Sequence, residues 1–410
     1  MKYGMIPFFI PHVGCPHVCT FCNQSKITET FGIGHLTPSY IRQTIEEYTQ
    51  QSLKKSSMGI VSLIGSSENR ENHVLEKQDT QQLKGKRKYW EVCFYGGSFS
   101  AIPKALQEQL LQPAYEALQE GLIDGIRCST RPDGVEDEAL ELLQSYGLTT
   151  VELGVQSMND TVLTLAKRGH TSDDVRRAVT QLRKFNMTVG LQILPGLLGD
   201  SWQTILETAV EIVKLRPDFV RIYPVLVIEN TELAEQYKSG IYLPLTTEQA
   251  LQYCSFLKTW FEEHQITVIR TGLQSTEELD RGSSLLAGPY EPAMGELVAN
   301  EQWRQRIMRC IDEHYNAHYA NIVNHYEYRK PQITCNYRAV KYEKNHKCRK
   351  DDIQYIHIMY PRTLTSKVRG LKNRNINYFN DAYESITFTW RENDTISSPI
   401  CCIDGMKYML

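Results

Sequence analysis

The chain has 410 residues, of which 41% are hydrophobic and 23% charged, with a formal net charge of −3 and 11 cysteines. This length suits one large domain with an appendage, or two or three domains. No apolar run approaches the ~20 residues that span a bilayer, and the first residues lack the apolar core of a signal peptide, so the sequence predicts a cytoplasmic protein without a membrane segment.

The first predicted strand, residues 6–11, leads into a loop with three cysteines spaced C-x3-C-x2-C, namely Cys15, Cys19 and Cys22. Thiolates this close together suit an iron–sulfur cluster or zinc. A structural zinc takes four protein ligands, and no paired C-x2-C or H-x3-H follows. A disulfide framework needs an oxidising compartment and normally an even number of cysteines. The spacing favours a four-iron cluster with one iron open to a substrate, with zinc and incidental core cysteines as alternatives.

Phe21 stands directly before the last of these cysteines. The pattern resembles the signature of the radical S-adenosylmethionine enzymes. That resemblance implies that the three cysteines ligate a [4Fe–4S] cluster, and that S-adenosylmethionine binds the fourth iron and is split into methionine and a 5′-deoxyadenosyl radical. It also implies a low-potential electron donor such as flavodoxin or ferredoxin. Phe21 is expected to pack beside the cluster and to contribute to the cofactor site.

A helix is predicted from Pro38 to about Leu53, with Thr37 as its N-cap. Residues 52–88 contain no aromatic residue and are rich in Ser, Asn, Gln, Glu and Lys. Such a composition buries little apolar surface, so we expect an exposed, partly disordered insertion there.

The second predicted strand, residues 89–95, ends at Gly96 and Gly97. Paired glycines let the backbone approach a ligand closely, although they are more often only a turn. The family resemblance implies that this turn binds the methionine amino group of the cofactor. Because Ser98 stands where that motif often has Glu, the contact is expected to come mainly from the backbone.

The fourth predicted strand carries Glu152 and Gln156 on one face. A carboxylate and an amide in a buried strand require hydrogen-bond partners, either the cofactor, which we favour, or a structural network. The resemblance implies that Arg168 binds the methionine carboxylate. Gln192 lies in the strand before a glycine-rich loop that resembles the adenine-side loop of the family, and is assigned to the cofactor too. In the sixth strand, Arg221 and Tyr223 are candidate substrate contacts.

Predicted strands begin near residues 6, 89, 125, 150, 188 and 219, and outside the insertion they recur every 25 to 40 residues with a helix between them. This is the βα pattern of a parallel sheet, whose ligands bind at the carboxyl ends of the strands. We therefore predict an α/β fold, an incomplete (β/α)6 TIM-like barrel over residues 1–300, followed by a small basic α/β domain over residues 301–410.

Four motifs at residues 129–133, 152–157, 167–171 and 221–224 together resemble the radical domain of the Elongator catalytic-subunit family, which modifies the wobble uridine of tRNA. The resemblance implies a tRNA or other RNA substrate. The roughly 110 residues that follow contain no glycine-rich acetyl-CoA loop, so acetyl-CoA-dependent transfer is not implied. Two alternatives are a radical oxidase of a small molecule, similar to coproporphyrinogen oxidase, and a non-catalytic iron–sulfur protein that binds RNA.

Residues 301–410 hold 18 basic and 12 acidic residues and 11 of the 23 tyrosines. Cations and aromatic rings suit a polyanion with exposed bases, whereas tyrosines in a core under a solvated surface are the alternative. A predicted strand at residues 356–362 and the basic turn after it faintly resemble a KH RNA-binding module, with Asn373 in place of the second glycine of its loop. A basic turn in a small α/β cap is the competing interpretation. The candidate RNA contacts in this turn are Lys367, Arg369, Lys372 and Arg374.

Overall fold

The computed structural model describes residues 3–10, 14–23, 34–61, 88–273, 277–282, 284–325 and 355–410. The chain divides into two compact units, Met1–Pro292 and Ala293–Leu410. The domain boundary expected at residue 300 falls inside the first helix of unit 2. Of the predicted insertion, residues 62–87 lie outside the described residues. None of the described helices is long and apolar enough to cross a membrane.

Unit 1 is built on a seven-stranded parallel sheet whose strands are neighbours in the order β1-β2-β3-β4-β5-β6-β8. An antiparallel pair, β7 and β9, lies outside that sheet. The strands of this unit are β1 Tyr3–Phe9, β2 Tyr89–Tyr95, β3 Gly125–Thr130, β4 Leu148–Gln156, β5 Thr188–Ile193, β6 Phe219–Ile222, β7 Val227–Ile228, β8 Thr267–Thr271 and β9 Leu285–Ala287.

Helices connect the successive parallel strands, as the βα pattern predicts. They are α1 Pro38–Val61, α2 Lys104–Gln119, α3 Asp137–Ser145, α4 Asp160–Leu165, α5 Ser172–Lys184, α6 Trp202–Leu215, α7 Glu232–Lys238 and α8 Thr247–Glu263. A short helix, α9 Glu277–Asp280, follows β8. The Tyr40 amide donates to Thr37 Oγ1 over 3.2 Å, which confirms the N-cap predicted for α1. This helix continues to Val61, beyond the predicted end near Leu53, into the stretch where the sequence predicted an insertion.

One face of the central strands is apolar, because the connecting helices pack against it. Val92, Phe94, Ile126, Val151 and Val189 are fully buried. The sheet curls into a half-barrel, and the predicted fold class, an incomplete TIM-like barrel, is confirmed. The charged and polar residues that point inward from these apolar strands therefore stand out as candidates for function.

A seventh strand of the sheet, β8, was not predicted from the sequence. It lies at the edge of the sheet, where its residues are half-buried or exposed, and Ile269 is 42% exposed. An edge strand pairs on one side only and carries a weak apolar signal. Periodicity therefore identified the six strands that are more deeply buried.

Unit 2 contains a helix, α10 Met294–His325, and a four-stranded sheet in the order β11-β10-β12-β13. β10 is parallel to β11 and antiparallel to β12. The remaining elements of unit 2 are β10 Tyr355–Tyr360, α11 Thr365–Arg369, α12 Arg374–Ala382, β11 Thr387–Glu392, β12 Ile400–Ile403 and β13 Met406–Met409.

The core of unit 2 forms between α10, α12 and this sheet. Phe379 is fully buried, and its ring centroid lies 5.2 Å from that of Phe388. Tyr360 is also fully buried, and Tyr378 packs against the same core, whereas Tyr355 is 54% exposed. Several tyrosines of the tail thus belong to the core of unit 2. This agrees with the alternative from the sequence, in which the tyrosines stabilise the fold rather than contact RNA.

Candidate functional site

The cysteine loop, residues 14–23, follows β1 and carries the three cysteines of the expected cluster. Backbone hydrogen bonds fix it to the end of α4 and to the start of α7. The Thr20 amide donates to the Ala166 carbonyl over 3.2 Å, and the Leu233 amide donates to the Thr20 carbonyl over 2.8 Å. Cys19 is buried, and the other two thiols are half-buried. The loop is therefore positioned by the barrel and keeps part of its sulfur surface accessible.

The paired-glycine turn after β2 touches this loop. Gly14 has φ +78°, and a Cβ there would lie 2.3 Å from the Ser98 carbonyl oxygen, so only glycine allows this approach. Gly96 has φ +106° and packs against the Ile10 backbone in the same way. The Cys15 thiol is hydrogen-bonded to the Ser98 backbone, and burial raises the pKa of this thiol although that contact acts against the shift. The turn after β2 and the cysteine loop are thus in direct contact.

Arg168 links the loop after α4 to the cysteine loop. Its Nη1 donates to Cys19 Sγ over 3.0 Å, and its Nη2 donates to the Gly154 carbonyl at the end of β4 over 2.5 Å. The Arg131 guanidinium donates to the Arg168 carbonyl, and Arg131 Nε also donates to Asp133 Oδ1 over 2.8 Å. Two buried guanidinium groups therefore stand beside the thiols.

Three buried polar atoms beside the thiols have no hydrogen-bond partner within the described residues: Arg168 Nε, Arg131 Nη1 and Gln156 Oε1. At Gly154 a Cβ would lie 2.8 Å from Gln156 Nε2 and 3.3 Å from Arg168 Nη2, which places the amide and the guanidinium side by side. Buried polar atoms are nearly always hydrogen-bonded, so these atoms indicate space for a polar ligand. Guanidinium donors suit a carboxylate, and an amide oxygen accepts from an ammonium group. The guanidinium donors and the amide acceptor together fit the carboxylate and the amino group at the methionine end of S-adenosylmethionine.

The donor chemistry of the loop also fits the expected cluster. Its candidate ligands are three thiols, the donors that iron–sulfur clusters use. In a four-iron cluster each thiolate binds a different iron atom, so the sulfur atoms need not converge on one ion. Over the described ranges, no three His, Cys, Asp or Glu side chains are arranged to hold a single metal ion.

Glu152 lies two residues before Gly154 on β4, on the same face of the strand. Its side chain belongs to a network of buried charged groups. Its carboxylate accepts from Arg127 Nη1 over 2.7 Å, from Arg221 Nε over 2.6 Å and from the Tyr95 hydroxyl over 2.9 Å. Burial acts to raise the pKa of Glu152, but the two guanidinium groups outweigh it and hold the pKa below its usual range. The structure thus gives Glu152 a structural network, the alternative to the cofactor contact that the sequence favoured.

Three other predicted residues belong to the barrel interior. Arg221 is 8% exposed, and besides its bonds to Glu152 its Nη1 donates to the Tyr223 hydroxyl over 3.1 Å. Gln192 is half-buried on β5 and pairs in register with Gly154 of β4. Arg221 and Tyr223 are therefore engaged inside the protein rather than displayed to an RNA surface.

Phe21 is half-buried and packs against an apolar cluster of unit 1 that includes Leu194, Leu197 and Val225. These residues follow β5 and β6, at the carboxyl end of the sheet. The ring thereby closes one side of the cysteine loop with apolar surface.

His170 is buried directly after the Arg168–Gly169 turn. Its Nε2 lies 3.3 Å from the Val155 carbonyl oxygen. Burial and the neighbouring arginine charges lower the pKa of His170 to about 4, so the imidazole is neutral at neutral pH. It is thus a neutral hydrogen-bonding group beside Arg168.

Sequence reasoning did not select Arg131 or Arg127 as site residues. Arg131 stands in a Pro-Asp-Gly turn, which pattern rules assign to a loop. Arg127 is flanked by Ile126 and Cys128 in an apolar strand. A charged residue within such a strand is unusual, and this pattern could have identified Arg127 as a candidate. A charge in such a strand requires a partner of opposite sign, which Glu152 supplies.

The basic turn of unit 2, residues 367–374, runs from the end of α11 to the first residue of α12. Lys367 and Lys372 are exposed there, and Arg369 and Arg374 are half-buried. Gly370 has φ +81°, Lys372 +52° and Asn373 +60°. Asparagine is among the few residues that adopt the left-handed region readily, so Asn373 suits the backbone conformation of this turn.

Comparisons with known proteins relate this chain to one superfamily of enzymes. The model of the Radical SAM superfamily matches residues 67–212, and the model of the Radical_SAM C-terminal domain matches residues 217–304. A tRNA uridine(34) acetyltransferase from Methanocaldococcus infernus is 32% identical over 243 residues, 54% of this chain and 44% of that protein. Elongator complex protein 3 of Homo sapiens is 28% identical over 172 residues, 37% of this chain and 31% of that protein.

The chain therefore spans less than half the length of these curated relatives. The solved structure of the archaeal Methanocaldococcus infernus Elp3 with an N-terminal deletion superposes with a TM-score of 0.50 at 22% identity, over 73% of this chain and 62% of that chain, which supports the fold.

Members of this superfamily are enzymes that use a [4Fe–4S] cluster and S-adenosylmethionine, so both cofactor predictions and the resemblance to the Elongator radical domain are confirmed at the level of the family. The two family models together match most of residues 67–304, and the chain accordingly belongs to the radical S-adenosylmethionine superfamily.

Proposed function

We propose that this protein is a radical S-adenosylmethionine enzyme that modifies a nucleoside of tRNA or of another RNA. The observation that carries the proposal is the convergence of the cysteine loop with Arg168 and with the unpartnered buried atoms of Arg131 and Gln156. The RNA substrate is supported by relatives named as a tRNA uridine(34) acetyltransferase and as Elongator complex protein 3.

In this proposal Cys15, Cys19 and Cys22 hold the [4Fe–4S] cluster. When bound, the cluster and S-adenosylmethionine supply a 5′-deoxyadenosyl radical that abstracts hydrogen from the substrate. A flavodoxin or a ferredoxin would deliver the electron. Acting on tRNA, the enzyme would work in the cytoplasm.

The residues around the cysteine loop bind and orient the methionine end of the cofactor. Arg168 and Arg131 offer donors to its carboxylate, whereas Gln156 Oε1 and the backbone at Gly96 and Gly97 accept from its amino group. A cofactor carboxylate at Arg168 would compete with Cys19 Sγ for the same guanidinium, so the contact in the structure would be exchanged on loading.

The remaining predicted cofactor residues shape the site. Phe21 and its apolar neighbours exclude water from one side of the cysteine loop. Gln192 lies inside the barrel on β5, where its amide is available to the adenosyl part of the cofactor. Glu152 fixes β4 through the charge network and so positions Gly154 and Gln156.

The proposal covers the radical step and does not extend to acetyl transfer. The acetyltransferase activity in the name of the archaeal relative belongs to a protein of which less than half aligns with this chain. Unit 2 is a mixed four-stranded sheet with α10, α11 and α12, and its sequence lacks the glycine-rich loop expected for acetyl-CoA.

Unit 2 would supply contacts to the RNA backbone. From residue 362 to residue 374 the chain carries five cations and no carboxylate. The basic turn presents Lys367 and Lys372 to solvent, with Arg369 and Arg374 beside them. The left-handed conformation at Asn373 lets the backbone turn tightly between the two helices, as a loop that follows a phosphate chain requires.

Anaerobic reconstitution with iron and sulfide tests the catalytic part of the proposal. We expect the visible absorbance of a reducible four-iron cluster, and 5′-deoxyadenosine after reduction with S-adenosylmethionine. The Cys19→Ala variant should lose both signals. Cys254→Ala, at a buried cysteine in α8 outside the site, should keep them. A wild-type protein that binds no cluster, or that forms no 5′-deoxyadenosine, would disprove the enzyme assignment.

A second experiment tests the substrate. The modified nucleosides of RNA from cells with and without the protein should differ, and purified protein should bind tRNA with an affinity that falls as salt rises. Replacing both Lys367 and Lys372 by Gln should weaken binding and reduce the slope of log K against log salt by up to ~2. Cofactor turnover without any RNA binding or RNA difference would point to a small-molecule substrate.

A further inference from the structure

A cavity of about 590 Å³ opens at the amino end of the half-barrel, opposite to the cysteine loop. It is lined by side chains of the parallel strands, among them Tyr3, Met5, Glu91, Phe219 and Arg270. We propose that this cavity is a second binding site, which takes a small organic oxyanion, a carboxylate or a phosphate ester, attached to an apolar body.

The inward-facing residues of β4 separate this site from the cysteine loop. Thr150 lines the cavity, Glu152 lies in the charge network, and Gln156 lies beside Arg168. Residues 150 and 156 are about 20 Å apart along an extended strand. A ligand in the cavity would therefore contact neither the thiols nor the three unpartnered atoms described above.

The charges around the cavity favour an anion. Arg127 is paired with Glu91 and Glu152, and Arg221 is paired with Glu152. With Arg270, the region around the cavity thus holds three guanidinium groups and two carboxylates, which is an excess of one positive charge. A positive charge in excess inside a protein is costly unless an anion compensates it.

Among the guanidinium groups at this cavity, Arg270 is the one that has no acidic partner within the described residues. It is half-buried and pairs in register with Arg221, which places both side chains on the inner face of the sheet. Its Nε donates to the Gly272 carbonyl over 3.1 Å, and over the part of the chain described no carboxylate lies within salt-bridge distance of it. Its two terminal nitrogens can therefore bind both oxygens of a carboxylate or of a phosphate group.

The other walls of the cavity favour an apolar body on the ligand. Met5, Phe219 and Ile269 contribute hydrophobic surface. At Gly190 a Cβ would lie 2.2 Å from the Phe219 ring, so glycine on β5 makes room for that ring inside the barrel. A pocket that combines the terminal nitrogens of Arg270 with hydrophobic walls suits an anion with an aromatic or aliphatic group.

Ligand-dependent thermal unfolding of the anaerobically purified full chain tests this proposal. Benzoate and phenyl phosphate serve as probes, and they distinguish a carboxylate from a phosphate ester. Acetate and inorganic phosphate lack the apolar body, and benzyl alcohol lacks the charge. We expect at least one aromatic anion to raise the melting temperature in a saturable way, and the three control compounds to bind at least tenfold more weakly.

Substitution of Arg270 then locates the site. Arg270→Gln should weaken binding of the aromatic anion at least tenfold, and Arg270→Lys should restore part of it. Arg177→Gln, at an exposed arginine of α5, should bind like the wild type. Equal binding by Arg270→Gln and wild type, or no saturable effect of either aromatic anion, would overturn the proposal. Cluster absorbance recorded on the same samples reports separately on the cysteine loop.

Discussion

Replacing Glu152 by Gln should destabilise unit 1 strongly, because the carboxylate compensates two buried guanidinium groups. Glu152 is 4% exposed, and Arg127 and Arg221 are each 8% exposed. Three guanidinium N–H groups and the Tyr95 hydroxyl donate to its two oxygens, at distances between 2.6 and 3.0 Å. Glutamine keeps the size of the side chain, but it removes the charge and turns one acceptor into a donor.

The expected loss of stability depends on which acidic partner each arginine keeps in the variant. Arg127 still pairs with Glu91, whereas Arg221 loses the carboxylate that it has in the structure. Breaking one partner of a buried ion pair costs about 3–5 kcal/mol, far more than the 0–1 kcal/mol of an exposed pair. We therefore expect Glu152→Gln to lower the free energy of unfolding of unit 1 by about 3–5 kcal/mol.

Urea unfolding of the cluster-free protein measures this effect, with Glu120→Gln as the matched control. Glu120 pairs with Arg42 at the surface, and its loss should leave the unfolding midpoint nearly unchanged. In Glu152→Gln/Arg221→Gln the uncompensated charge is also removed, so the double variant should be more stable than the sum of the single effects predicts. This coupling separates the loss of the pair from a general packing defect.

Binding of S-adenosylmethionine to the reconstituted variant decides between the two roles of Glu152. If Glu152 acts through the network, folded Glu152→Gln keeps its affinity for the cofactor within a few fold. Unchanged stability together with a large loss of cofactor affinity would refute the structural assignment and make Glu152 a direct ligand.

Two further predictions concern the pKa of His170 and the turn of unit 2. Because the pKa of His170 is about 4 in the folded chain and about 6.5 when unfolded, the unfolded state alone takes up the proton between these values. Stability should thus fall by up to about 3 kcal/mol as pH drops from 6.5 to 4, and His170→Gln should flatten this part of the curve measured by urea unfolding. In the turn, Asn373→Gly should preserve tRNA affinity, whereas Asn373→Val should lower it, because a β-branched residue disfavours φ +60°. Equal affinities for both variants in a binding titration would show that this conformation does not matter for RNA.

The sequence allowed prediction of the parts of the fold that repeat. Six strands with helices between them were identified from apolar runs, whereas the edge strand β8 lacks such a run. The cysteine loop was recognisable because its ligand types and spacing lie within eight residues. Arg168 was assigned through a family resemblance rather than from any local pattern, and the proximity of Arg131 depends on tertiary folding that no spacing rule encodes.

Glu152 was interpreted either as a cofactor ligand or as part of a structural network, and in both interpretations it affects the cofactor site. Glu152 ties β4 to β3 through Arg127, to β6 through Arg221 and to β2 through Tyr95. Gly154 is two residues further along β4, about 7 Å away, and its carbonyl accepts from the guanidinium that also donates to Cys19.

A shift of β4 by even 1 Å would move the Gly154 acceptor, and with it the orientation of Arg168 toward the thiols. The charge network thus contributes to the site without touching a cofactor, because it fixes the strand from which the site is built. This is why a buried carboxylate in that strand is required in either interpretation, and why stability and cofactor affinity must be measured on the same variant to separate them.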